Sequence, residues 1–158
     1  MVFWPIFASI VAGDVVTKRL AEQGLVPHLP RDIIGEWLRL TLTYNTGAAM
    51  NLSLGQSSRV VLTVVASLML AILFRMYRKT PHHDTPQAAA LALIAAGALG
   101  NLIDRLRSAR GVVDFIDVGL GDWRFWTFNV ADMGVTIGAT VLAVLLMRRS
   151  AAADGQVG

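Results

Sequence analysis

Two aspartates, Asp114 and Asp132, each sit inside apolar sequence: Val112, Val113, Phe115 and Ile116 frame one, and Val130, Ala131 and Met133 frame the other. In water an aspartate is usually a solvated loop residue, and Asp117 and Asp122 are expected to be of that kind. A carboxylate surrounded by hydrocarbon is costly to keep ionised. If the fold brings the two carboxyls within a few ångströms, mutual repulsion and poor solvation raise one pKa, and the pair holds a single proton. That is an acid beside a base.

The rest of the chain must position them. Its 158 residues are 54% hydrophobic and 16% charged, too apolar for a soluble domain of this length. There is no cysteine, which excludes disulfides, thiolate metal sites and a cysteine nucleophile together. The net charge of +3 could suggest nucleic acid, but the basic residues fall at the ends of apolar runs rather than along one stripe, so anionic lipid is the expected partner and nucleic acid is not.

Apolar runs at Val2 to Val16, Val60 to Phe74, Ala88 to Ile103 and Met133 to Met147 predict four transmembrane helices, with spans near 2–18, 59–76, 87–104 and 130–148 of a single unit covering 1–158. Each run is short for a span, so flanking side chains must snorkel or the bilayer must thin. Arg75, Arg78 and Lys79 after the second run, and Arg148 and Arg149 after the fourth, assign those ends and both termini to the cytoplasm. The connections 19–58 and 105–129 then face outward, the second as a re-entering loop, and both aspartates lie on the outer side. The first run lacks a basic leading segment and continues into Asp14 and Lys18, so it reads as a retained helix rather than a cleaved signal.

Other polar groups gather toward the same side. Trp37 to Tyr44 alternates apolar and polar, which predicts a strand and hence a small extracytoplasmic sheet. Trp123, Phe125, Trp126 and Phe128 read as interfacial anchors. Asp14 and Lys18 share a helix face at i and i+4, and the plain reading is an ion pair that ends a helix. Asn45 precedes Gly47, Ala48 and Ala49, a stretch of small residues that admits another backbone while the asparagine offers donor and acceptor to a peptide; a turn would use the same residues. Gly97, Asn101 and either Asp104 or Arg105 line one face of the third run, where small residues permit close helix packing and asparagine bonds across it.

Taken together, these blocks resemble the lipoprotein signal peptidases (signal peptidase II) over nearly the whole chain. Five match in order: Asp14-x-x-Thr17-Lys18, Asn45-Thr46-Gly47-Ala48-Ala49, Gly97-x-x-Gly100-Asn101-x-Ile103-Asp104-Arg105, Val112-Val113-Asp114-Phe115-Ile116 and Phe128-Asn129-x-Ala131-Asp132. The resemblance implies a four-helix aspartic membrane endopeptidase with a small surface sheet, cutting before the lipidated cysteine of diacylglyceryl-modified prolipoproteins. By the same resemblance, Asp114 and Asp132 match the catalytic dyad. Asn45, Gly47, Asn101, Arg105 and Asn129 match positions that bind substrate or order the site, with Asp14, Lys18 and Asp104 supporting. It further implies a monomer in the bacterial cytoplasmic membrane, inhibited by globomycin-type peptides. Met50, Ala96 and Met133-Gly134 depart from the family's usual residues, which bears on substrate preference and packing rather than on the reaction.

Rival classes fit less well. A transporter would place polar groups deep in the bilayer rather than toward one face. A serine-lysine peptidase has only Lys18 and Lys79 to draw on, and Lys79 is on the cytoplasmic side. Gly119-Leu120-Gly121-Asp122 spells the Gly-x-Gly-Asp of another intramembrane protease group, but beside Trp123 and Arg124 it reads as a turn. His28 stands apart and His82-His83 lie in the basic loop, so no metal site is expected. No glycine-rich phosphate loop precedes a helix, and no cofactor is expected.

Overall fold

The computed structural model describes residues 2–47 and 58–154, and the elements below are named in chain order. Four long helices, α1 (Phe3–Gly24), α2 (Ser58–Lys79), α3 (Thr85–Arg107) and α4 (Val130–Asp154), are joined on one side by a four-stranded sheet. Its strands are β1 (Arg31–Ile34), β2 (Leu38–Asn45), β3 (Val112–Leu120) and β4 (Trp123–Arg124), antiparallel in the order β1-β2-β3-β4.

The helices outrun the apolar stretches that predict them. α1 and α2 each have 22 residues, α3 has 23 and α4 has 25. At about 1.5 Å per residue each is long enough to cross a hydrocarbon core of about 30 Å without thinning it. The sequence shortfall arises because their ends carry polar residues: Lys18 and Glu22 in α1, Arg78 and Lys79 in α2, Arg105 and Arg107 in α3. Among the described residues α2, α3 and α4 are long and apolar enough to span; α1, with Asp14, Lys18, Arg19 and Glu22, is not counted with them on composition.

α3 is the central helix, packed against α4, α1 and α2. Phe3, Leu70, Leu73, Leu91, Ala92, Ala95 and Leu102 form one core among the four helices, and Phe3 stacks on Tyr77 with ring centroids 3.8 Å apart. Lipid is as apolar as these side chains, so close van der Waals packing rather than water exclusion joins them. α3 and α4 pack closely at Gly97, where a Cβ would fall 2.2 Å from the Ala131 carbonyl oxygen.

A second core, Ala21, Leu42, Val113 and Phe115 with Tyr44 and Val130 against it, joins the end of α1 to the sheet and to the start of α4. β2 covers Leu38–Asn45, one residue along from the alternation at Trp37 to Tyr44, and pairs with β3 so that Thr43 faces Asp114 and Asn45 faces Val112. The segment expected as a re-entering loop is instead the β3–β4 hairpin: apolar residues at 112, 113 and 115 have a sheet to pack into, and Gly121, at φ +54°, makes the turn. Gly111, at φ +104°, starts β3 where a Cβ would lie 2.3 Å from the Asn45 carbonyl oxygen. Asp117 is not solvated: it is buried, accepts from Thr41 Oγ1 at 2.8 Å and pairs with Arg124 at 2.7 Å, tying β2, β3 and β4 together.

Candidate active site

The site is built on the first turn of α4. Asn129 precedes the helix and Asp132 is its third residue. The Asp132 N–H donates to Asn129 Oδ1 at 2.9 Å, and the Asn129 N–H donates back to Asp132 Oδ2 at 3.1 Å. This is a reciprocal capping box, with Asn and Asp in place of the usual Ser or Thr and Glu. It satisfies helix-terminal donors that would otherwise be orphaned and fixes the Asp132 carboxylate against the positive end of α4. The next orphan donor, the Ala131 N–H, is met by Asp14 Oδ1 at 2.9 Å from α1.

Asp114 comes from β3. Its Oδ1 accepts from Asn129 Nδ2 at 2.6 Å, and the Asn45 side chain also donates to it from β2. One asparagine thus bonds both carboxylates, through its side-chain amide to Asp114 and its backbone to Asp132. Asp132 Oδ1 further accepts from Asn101 Nδ2 at 2.8 Å. Asp114 is only 3% exposed, and burial, reinforced by the charge of Asp132, pushes its pKa up from 3.8 to about 7 against the donors from Asn129 and Asn45. Two carboxyls in electrostatic reach of each other, one of which takes its proton near neutrality, can give and accept protons at one reacting carbonyl.

The expected supporting residues converge here too. Lys18, 2% exposed, pairs with Asp14 at 2.8 Å and Asp104 at 2.9 Å, and donates to Asn101 Oδ1 at 3.0 Å. The Asp14–Lys18 pair is therefore no helix-ending surface contact but a buried link to the site. Asp104 and Arg105, alternatives for one face in the sequence, both reach inward. Asp104 takes the Val113 N–H at 3.2 Å and so holds β3 beside the aspartate it carries. Arg105 donates to the Gly47 carbonyl at 3.3 Å and to its own helix at the Asn101 carbonyl, with both aspartates in reach of its charge. Asn45 Oδ1 accepts from the Gly47 N–H at 3.0 Å, the turn the sequence allows; Ala48, Ala49 and Met50 lie outside the described residues.

Sequence reasoning from residue types alone passes over Asn129, which only the resemblance singles out. The available signal was Asn-x-x-Asp ahead of an apolar run, a helix-start signature. The Arg59 contact is also missed: it donates to the Arg105 and Leu106 carbonyls at 2.6 and 3.2 Å and so caps α3 from α2, a long-range contact that no local pattern announces.

Comparison with known proteins finds relatives over most of the chain. The family described as "Signal peptidase (SPase) II" matches residues 6–148. A lipoprotein signal peptidase of Chlorobium phaeobacteroides is 41% identical over 146 residues, covering 87% of this chain and 90% of that protein. One of Hydrogenovibrio crunogenus is 39% identical, covering 85% of this chain and 78% of that protein. A bacterial membrane enzyme solved by the in meso method superposes with a TM-score of 0.83 at 29% identity, over 92% of this chain and 87% of its own. With the family matched from residue 6 in α1 to residue 148 in α4 and the fold shared over 92% of the chain, this chain belongs to the signal peptidase II family of membrane proteases.

Proposed function

We propose that the protein removes the signal peptide from diacylglyceryl-modified prolipoproteins, cutting before the lipidated cysteine by an aspartate-dyad mechanism. The observation that carries this reading is the bridging of Asp114 and Asp132 by Asn129. Asp132, held by the Asn101 amide and the start of α4, serves as the ionised base, and Asp114 carries the proton. Asp132 takes a proton from water as the water oxygen bonds to the scissile carbonyl carbon, and Asp114 gives its proton to the carbonyl oxygen. The resulting gem-diol collapses with C–N cleavage: Asp132 passes its proton to the leaving amine, and Asp114 recovers one from a diol hydroxyl. No acyl-enzyme forms.

α1 is read as a fourth span. Asp14 and Lys18 turn into the bundle, while Trp4, Val16 and Leu20 are exposed on its surface. Both termini are cytoplasmic and the sheet end of the bundle is external, so the dyad meets a substrate helix entering from the outer leaflet. The protein acts as a monomer, and globomycin-type peptides occupy the same cleft.

Purified protein is expected to cleave a lipidated precursor and to leave the same precursor without its diacylglyceryl group essentially uncut; equal cleavage of both would overturn the substrate assignment. The pH profile gives a further check. With its proton lost near pH 7, Asp114 no longer acts as acid, so kcat/KM should fall as pH rises through about 7. The same raised value affects stability. The unfolded chain releases this proton first, so ionisation of Asp114 destabilises the fold as pH rises from 3.8 toward about 7. Asp114→Asn should therefore raise the melting temperature more at pH 8 than at pH 5, and an equal change at both would contradict it.

A further inference from the structure

Lys18 has three ammonium protons and no acceptor. Its nitrogen forms ion pairs with Asp14 Oδ2 at 2.8 Å and Asp104 Oδ2 at 2.9 Å, and donates a hydrogen bond to Asn101 Oδ1 at 3.0 Å. A side-chain amide has an accepting end and a donating end of nearly equal shape, so something must choose which end faces Asp132. With an ammonium on one side, the oxygen of Asn101 is compelled to face Lys18, and Nδ2 is left to donate to Asp132 Oδ1 at 2.8 Å. Asn129 Nδ2 also reaches Asn101 Oδ1, at 3.2 Å, but its two hydrogens are shared with Asp114 Oδ1 at 2.6 Å and the Val113 carbonyl at 3.2 Å. The ammonium is the donor committed to Asn101.

We propose that Lys18 is a positioning residue for the dyad, acting through Asn101: its ammonium sets the orientation of that amide and thereby keeps a proton donor aimed at the Asp132 carboxylate. The proposal rests on the dyad reading above. Burial makes the device stiff, since Lys18 and Asp14 are 2% and 0% exposed and water has no access to substitute for either partner. The charged groups facing Asn101 and Asp132 are Asp14 and Lys18 from α1, Asp104 and Arg105 from α3, and Asp114 from β3. Removing Lys18 alone would change the field at Asp132 as well as the amide, so the test must hold net charge constant.

The double variant Lys18→Met, Asp104→Asn does so, and an asparagine oxygen at 104 can still accept the Val113 N–H. Its partner, Lys18→Gln, Asp104→Asn, restores a neutral donor toward Asn101. The readout is the split between kcat and KM on a lipidated precursor, since a misaimed amide slows the proton transfers without changing substrate binding. In the Met variant the Asn101 amide is free to turn its oxygen toward Asp132, and kcat should fall about tenfold or more with KM little changed. In the Gln variant it should return most of the way. An unchanged kcat in the Met variant, or an equal loss of kcat in both variants, would overturn the positioning role. If wild-type protein cut no lipidated precursor, the peptidase reading would fall instead. The relay would then be judged by the Asn101 side-chain amide signals in NMR spectra of selectively labelled protein, which must shift in the Met variant and return toward wild type in the Gln variant.

Discussion

Asp132→Asn and Asp114→Asn are each expected to lower cleavage of a lipidated precursor by about 10³- to 10⁴-fold, because in the proposed mechanism each removes one half of the proton traffic at the scissile bond. The substitutions are nearly isosteric, and the capping box at α4 survives in part because an asparagine oxygen at 132 can still accept the Asn129 N–H. The protein should therefore stay folded, and the loss should appear in kcat rather than in KM. The double substitution should cost little more than either single one, since acid and base act as a unit. Activity within tenfold of wild type in either single variant would contradict the dyad.

Gly97→Ala is expected to have the second largest effect, although Gly97 touches no reacting group. An added Cβ would stand 2.2 Å from the Ala131 carbonyl oxygen and 2.7 Å from Val135 Cγ2, and the first of these is backbone that cannot step aside. α3 and α4 must separate. Asn101 lies one turn further along α3 and Asp132 is the neighbour of Ala131, so the separation opens the Asn101–Asp132 hydrogen bond of 2.8 Å. Overpacking of this kind costs about 1–3 kcal/mol, and a displacement of about 1 Å at a reacting group can cost about 100-fold in rate. A lower melting temperature in detergent together with a comparable fall in kcat/KM is the expected pair of results. Gly13→Ala is the control, because no atom lies within 4 Å of the position its Cβ would take. Wild-type stability and rate in Gly97→Ala would mean that the α3–α4 contact does not set the site.

What the sequence made legible was whatever is local. Four helices followed from apolar runs, β2 from its alternation, and the Gly97–Asn101 face from i and i+4 spacing. Asp114 and Asp132 stood out by their apolar frames. What escaped was whatever depends on distant partners. Asp117 looked like a loop residue because Arg124 and Thr41, which satisfy it, are brought together only by the sheet. Asp14 and Lys18 looked like a plain i,i+4 pair because nothing local shows that α3 and α4 bury them and supply Asp104, Asn101 and Ala131. The 105–129 segment looked like a loop because β3 carries apolar residues on both faces at 112 and 113 and lacks the alternation that marked β2.

The central claim is that the two carboxyls hold one proton between them near neutral pH, and that the proton resides on Asp114. The most direct measurement is infrared titration of the protonated-carboxyl absorbance in purified wild-type protein, with Asp114→Asn as the reference. At pH 6 the wild type should show one protonated carboxyl that the variant lacks, and its absorbance should fade as pH rises through about 7. A wild-type spectrum at pH 6 identical in this region to that of Asp114→Asn, with both aspartates fully ionised, would contradict the account.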